Sequence, residues 1–317
     1  MEFDYSKEPG KRLLNRNLNT EGSPLVSIIT PFYNAGKYFE QTYNCVMNQT
    51  FPWFEWIIVD DGSNDIESVN LLKSIAKRDI RIRVTRQDNM GQSAARNRAI
   101  SECITDIVIP LDADDLIAST YLEYVFWGLF FNPKASWCYT DSVGFQEQEY
   151  LWIKPFSASR MKTENILTCT AAIRRKDLEE IGGYDASEKH YDEDWCLWLK
   201  MLSKSKFPVH ISGVYFWYRR ISTGMQKQVQ LDSNLRKKSN KMVHKMAESI
   251  NTTVMPKEYP SVNPPGKYIA PKASKWDRKV FKTHDKIHVM MLLPWMEMGG
   301  ADLFNLDIVR KIDKNKF

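Results

Sequence analysis

The sequence predicts an α/β protein with a mostly parallel, doubly wound central sheet flanked by helices. Short runs rich in β-branched residues recur along the first part of the chain. Stretches with apolar residues at three- and four-residue spacing separate them. The alternation of strand and helix gives a parallel sheet. Each strand run also ends in a polar loop, and open sheets of this kind bind ligands beyond the carboxyl ends of their strands.

Taken in order, Pro24 opens a buried-type strand at Leu25–Thr30, which ends in the loop Pro31 to Gly36. A helix follows over about Lys37 to Gln49. The second strand, Glu55–Val59, closes on Asp60-Asp61-Gly62-Ser63. Residues 65–78 form a helix, with Val69, Leu72 and Ile75 on one stripe. Ile82–Thr85 is a third strand, Ser93–Cys103 a helix, and the run into Asp112 a fourth strand. The loops Pro31–Asn34, Asp60–Ser63, Asn89–Ser93 and Asp112–Asp115 then converge on one rim.

The chain has 317 residues, 43% hydrophobic and 12% aromatic, enough for one large domain or two smaller ones with a folded core. A net charge of +5 suits phosphorylated ligands or an anionic membrane surface, and is not the footprint of a dedicated nucleic-acid binder. Cys45, Cys103, Cys138, Cys169 and Cys196 are scattered, without CxxC or zinc spacing, which points to reduced thiols in the cytoplasm. Met1 to Ser23 reads as a flexible lead-in without a signal-peptide core, and the apolar run Tyr124–Phe131 is too short to span a bilayer. A soluble protein, with peripheral contact at the inner face of a membrane, is the expectation.

The chemistry concentrates at Leu111-Asp112-Ala113-Asp114-Asp115. In extended backbone Asp112 and Asp114 face the same side. Two carboxylates about 4 Å apart repel by roughly 4 kcal/mol at an effective dielectric of 20. A divalent cation with oxygen ligands offsets that repulsion and attracts phosphate. The plain alternative is a solvated turn.

The ordered set VSIITPFYN (Val26–Asn34), NQTF (Asn48–Phe51), EWIIVDDGSND (Glu55–Asp65), GQSAARN (Gly91–Asn97) and LDADD (Leu111–Asp115) resembles glycosyltransferase family 2 over about residues 25–225. The resemblance implies the GT-A fold, Rossmann-like, with a UDP- or dTDP-sugar donor, Mn2+ or Mg2+, and inversion at the anomeric carbon. It implies that Pro31 and Tyr33 border the nucleobase and that Asp61 accepts from a uracil or thymine N3–H. Arg96 would approach the base or diphosphate, Asp112 the ribose or a metal-bound water, and Asp114 the metal directly. Glu193-Asp194, after Gly182-Gly183-Tyr184-Asp185, matches the family's acidic pair, with Asp194 as general base and Glu193 shaping the acceptor site. Asp192 is the register alternative, and a plain N-cap is the alternative for Asp194. Arg219 or Arg220 would close over the diphosphate. The implied acceptor is a hydroxyl of a glycan or lipid-linked saccharide in surface polysaccharide synthesis.

In the second half, Tyr121–Phe131 reads as a helix apolar almost all round, buried in the core with membrane contact as the alternative, Ile166–Arg174 as a strand and Asp177–Ile181 as a short helix stopped by glycines. Trp195, Trp198, Leu199 and Leu202 form a helical stripe, and His190 is a surface or packing residue. The glycosyltransferase domain spans 24–228, a basic helical extension 229–250 and a Pro-rich linker 251–285. Arg236, Lys237, Lys238, Lys241 and Lys245 give that extension a solvated face, or a contact for anionic lipid. Residues 286–317 resemble the opening strand, glycine loop and helix of a family 4-type GT-B glycosyltransferase, so the chain is a candidate for fusion to a second domain. Two rivals remain: a nucleotidyltransferase, whose basic Gly-rich triphosphate loop Pro31–Gly36 does not supply, and a non-catalytic nucleotide- or glycan-binding module.

Overall fold

A computed structural model describes residues 22–187, 192–221 and 231–262. The lead-in before residue 22, His190, most of the loop after Arg220 and the strand–loop–helix at 286–317 lie outside the described residues.

The chain runs β1 (Val26–Phe32), α1 (Gly36–Met47), β2 (Phe54–Asp60), α2 (Ile66–Ile75), β3 (Ile82–Arg86), α3 (Gln92–Glu102) and β4 (Ile107–Pro110). These strands are parallel and lie in the order β4-β1-β2-β3. The order reverses between β1 and β4, and that switch point leaves a crevice at their carboxyl ends. Side chains alternate across the sheet: Ile28, Trp56 and Ile58 enter one core, Ile29, Ile57 and Val59 the other. Both faces are covered, so the strands read as nearly continuous apolar runs.

The second half adds β5 (Leu116–Ile117), α4 (Tyr121–Phe131), β6 (Trp137–Gln146), β7 (Tyr150–Trp152), α5 (Ala158–Met161), β8 (Ala172–Arg174), α6 (Arg175–Glu180), α7 (Glu193–Ser203), β9 (Pro208–Arg220), α8 (Ser233–Glu248) and β10 (Ser261–Val262). The full order is β10-β9-β6-β8-β4-β1-β2-β3, with β8 antiparallel to both β4 and β6. Helices α1, α2 and α4 cover one face, and α3, α7 and α8 the other.

Several elements differ from expectation. Pro31 belongs to β1, opposite Val59 of β2. Pairing of β1 with β4 has already stopped at Ile29, so the missing N–H disturbs no ladder on that side. Only Ala172–Arg174 of the expected strand from Ile166 is extended; Ile166 to Ala171 is irregular backbone, buried for the most part. Helix α4 buries Tyr121, Leu122, Val125 and Leu129, but Phe130 and Phe131 are exposed. A helix apolar but for Glu123 here has one face in the core and an aromatic cluster outside. In α8, Arg236, Lys237, Lys238, Lys241 and Lys245 are exposed, while Ser239, Val243 and Ala247 pack inward.

Candidate active site

The loops after the first three strands are sewn together by their own polar groups. Asn34, at φ 49°, accepts from the N–H groups of Asn64 (3.0 Å) and Asp65 (2.9 Å), and its own N–H donates to Ser63 Oγ (3.0 Å). Asp61 Oδ1 accepts from Gln87 Nε2 (2.8 Å) and Met90 N (2.9 Å), and Oδ2 from Gly91 N (2.8 Å). Gly62 sits at φ +78°, and a Cβ there would meet Asn89 N at 2.9 Å. Only glycine lets the two loops approach so closely. Asp60 is structural: it accepts from Ser63 N and from Arg86. Beside these loops the Tyr33 ring is 47% exposed and Pro31 is half-buried.

Gly91 opens α3, and Arg96 one turn later is fully buried. Its Nη2 donates to Asp112 Oδ1 (2.5 Å) and its Nη1 to Glu193 Oε1 (2.7 Å). The guanidinium lies 5.2 Å from the Tyr184 ring centre. Tyr184 is held by Asn97, which accepts from its N–H and donates to its carbonyl, both at 2.8 Å. Arg96 is thus enclosed between two carboxylates and an aromatic ring, with no face on the cleft. Arg98 points away and pairs with Glu102.

The acidic segment is not extended. β4 ends at Pro110, and Asp115 N–H returns to Asp112 O at 3.2 Å, closing a turn. The two-residue alternation expected for Asp112 and Asp114 therefore does not apply. Burial, then the Asp112 charge, push the Asp114 carboxyl up to about 6. Asp115 is wholly buried, and burial followed by Asp114 and Asp112 hold its carboxyl well above the usual range. One Asp115 oxygen accepts from Arg219 N (2.8 Å); the other has no hydrogen-bond partner. Carboxylate oxygens of Asp112 and Asp115 and the Cys169 thiol lie within 4.8 Å of one another. An orphaned, buried carboxylate oxygen beside further acidic groups fits a divalent cation, whose charge would relieve all three.

Arg219 fixes this turn from β9. Its Nε donates to the Asp114 carbonyl, its Nη1 to Gln146 Oε1 and its Nη2 to Gln41 Oε1, each at 2.6 Å, and its guanidinium stacks over Tyr38 at 4.3 Å. It is buried beneath the acidic turn. Arg220 sits outside, over Tyr218 and beside Gln148.

Across the cleft, α7 starts at Glu193 with Asp192 as its N-cap residue. Asp192 makes no side-chain cap bond and instead accepts from Ser239 Oγ of α8 at 2.5 Å. Asp194 is the second helical residue. Its Oδ1 accepts from Trp195 N (2.7 Å) and its Oδ2 from Asn165 Nδ2 (3.2 Å). Burial, then Glu193, raise its carboxyl to about 7. That value suits a group exchanging a proton near neutrality.

The contacts run in one chain: Asp61 to Gly91, along α3 to Arg96, and from Arg96 to both Asp112 and Glu193. Asp115, Cys169, Asn97 and Tyr184 are parts of this constellation to which the motifs give no role, and Arg219, expected to close over the diphosphate, is buried against the acidic turn. A cavity of about 320 Å³ lies elsewhere, among residues such as Phe54, Glu55, Arg81 and Ile104 near the opposite ends of the strands. Its Glu55 is already engaged by Ser27, Arg83 and Ile104 N, so it offers no free reactive group.

Residues 27–182 match the model of Glycosyl transferase family 2. O-antigen biosynthesis protein RfbC of Myxococcus xanthus is 28% identical over 177 residues, covering 53% of this chain and 14% of that protein. The S. aureus TarS 1–349 structure in complex with UDP-GlcNAc superposes with a TM-score of 0.55 at 19% identity, covering 64% of this chain and 60% of that one. A mannosyltransferase from Pyrobaculum calidifontis, in complex with GDP-Man and Mn2+, gives a TM-score of 0.50 at 16% identity, covering 75% and 77%. The chain spans less than half the length of the curated relatives it matches. Residues 27–182 therefore carry the features of glycosyltransferase family 2, on a fold shared with those structures.

Proposed function

We propose that the chain is a metal-dependent, inverting glycosyltransferase that moves a sugar from a UDP- or dTDP-sugar to a hydroxyl of a glycan or lipid-linked acceptor in surface polysaccharide synthesis. The observation that carries this reading is the Arg96 bridge, which fastens the acidic turn to the Glu193–Asp194 pair. A donor-side cation site and a carboxyl raised to about 7 would thereby share one cleft. The nucleotide ligands of the TarS and mannosyltransferase structures support a nucleotide-sugar donor here.

Asp112 and Asp114 are the residues proposed to hold Mn2+ or Mg2+, with Asp115 beneath them. When bound, the ion supplies positive charge against the departing nucleoside diphosphate. The half-exposed Tyr33 ring and Pro31 would border the base, with Asp61 accepting from it at the sewn loop edge. Asp194 takes the acceptor hydroxyl proton as that oxygen bonds to the anomeric carbon. The electron pair of the breaking carbon–oxygen bond leaves on the diphosphate. Attack from the face opposite the leaving group inverts the centre. Glu193, fixed by Arg96, orients the start of α7.

A donor panel tests this: release of nucleoside diphosphate from UDP-, dTDP- and GDP-sugars with Mn2+ or with chelator. Turnover of one donor class, lost with chelator and in Asp114→Ala, is expected. Absence of turnover with every donor, or full activity in Asp114→Ala, overturns the reading.

A further inference from the structure

We propose that Cys169 is a ligand of the acidic turn's cation site and biases that site toward thiophilic divalent ions such as Zn2+ and Cd2+. The inference rests on the proposed cation site above, shares Asp112 with it, and adds two donors that the structure groups with Asp112 where Asp114 is not grouped: Asp115 and a sulfur.

Cys169 is a buried free thiol on the irregular segment leading to β8. Its Sγ lies 3.5 Å from Asp112 Oδ2. In a tetrahedral ion with a metal–sulfur bond near 2.3 Å and a metal–oxygen bond near 2.1 Å, sulfur and oxygen stand about 3.6 Å apart. The two donors are therefore already at ligand spacing. Asp115 supplies the third atom within 4.8 Å, and one of its buried oxygens has no partner. Among the described residues this is the one group of three or more such side chains that could share an ion. Cys45 and Cys103 have other surroundings: Cys45 donates to a carbonyl within α1, and Cys103, just past α3, donates to the Ala99 carbonyl of that helix.

Two carboxylates alone favour hard ions such as Mg2+ and Mn2+, whereas a thiolate favours zinc and softer metals. Binding through sulfur displaces the thiol proton to solvent. The site would then accept Mg2+ or Mn2+ through oxygen only, and Zn2+ or Cd2+ through two oxygens and a sulfur.

The test titrates the full 317-residue chain with Cd2+ and with Mn2+, each with and without UDP, following heat of binding and the ultraviolet thiolate-to-cadmium charge-transfer band. Wild type is compared with Cys169→Ser and Cys169→Ala. The expected result is a band saturating at one equivalent of Cd2+, abolished in both variants, with Mn2+ affinity unchanged. As a measurement needing no variant, Cd2+ but not Mn2+ should protect Cys169 from alkylation in the wild type, read by peptide mass spectrometry. Mn2+ binding without a Cd2+ band, a band that persists in the variants, or no protection of Cys169 overturns the sulfur ligand and leaves the oxygen site standing. Failure of both ions to bind under any condition overturns the cation site and the ligand together.

Discussion

Arg96 Nη1 lies 2.7 Å from Glu193 Oε1, across 97 positions of sequence, with the guanidinium fully enclosed. Burial works against its charge, but Asp112 and Glu193 outweigh it and hold the arginine firmly protonated. A planar fork can reach two carboxylates on different elements at once, which a lysine ammonium cannot do with the same geometry. The acidic turn after β4 and the start of α7 are therefore joined by one side chain.

Arg96→Met should destabilise the fold by about 3–5 kcal/mol, because Asp112 and Glu193 are left without their shared buried counter-charge. Urea unfolding measures this. Arg96→Lys should recover part of the stability yet stay impaired in transfer, since one ammonium cannot hold both carboxylates in place.

Arg219→Ala removes the support of the acidic turn rather than a contact to the donor. The Asp114 carbonyl, Gln41 and Gln146 lose a charged donor, a loss of about 1.5–3 kcal/mol for such bonds. Calorimetry should show weakened cation binding in this variant, while Arg220→Ala, at the half-buried neighbour, leaves it near the wild-type value.

Asp194 gives stability a distinct pH dependence. Its carboxyl is raised to about 7 in the folded chain, against about 3.9 when unfolded. Between those values the folded state holds a proton that the unfolded state has released, so stability from this group is lost as pH rises through about 7. Asp194→Asn stays neutral throughout. Relative to wild type it should gain stability between about pH 5 and 8, in denaturation curves taken across that range.

Much of the parallel half was legible in the sequence because its strands are buried on both sides. Val26 to Thr30 and Glu55 to Val59 are continuous apolar or β-branched runs, and the loops that follow carry Asn34, Asp61 and Gly62, whose chemistry shows in their residue types. The acidic turn was legible as a cluster but not as a shape. Leu111 to Asp115 alternates like a strand, yet Pro110 ends β4 and the carboxylates lie in a turn. Asp115 carried no assigned role, and Arg219 was expected over the diphosphate instead of against the turn, because their partnership depends on β9 crossing beside the turn, 104 positions away. Cys169 gave no signal either: a lone thiol in an irregular segment has no spacing to read. Helix α4 was legible as a core helix with its bounds, but a helix apolar almost all round does not reveal which face the sheet will cover.

The most direct test of the central claim measures donor affinity and transfer rate for Asp194→Asn beside wild type, with Mn2+ present, across about pH 5 to 9. The account predicts unchanged nucleotide affinity, a wild-type transfer rate that climbs through about pH 7, and a loss of about 10²–10⁴-fold in the variant, with that rise gone. Transfer by Asp194→Asn at the wild-type rate, with the same pH profile, would contradict it.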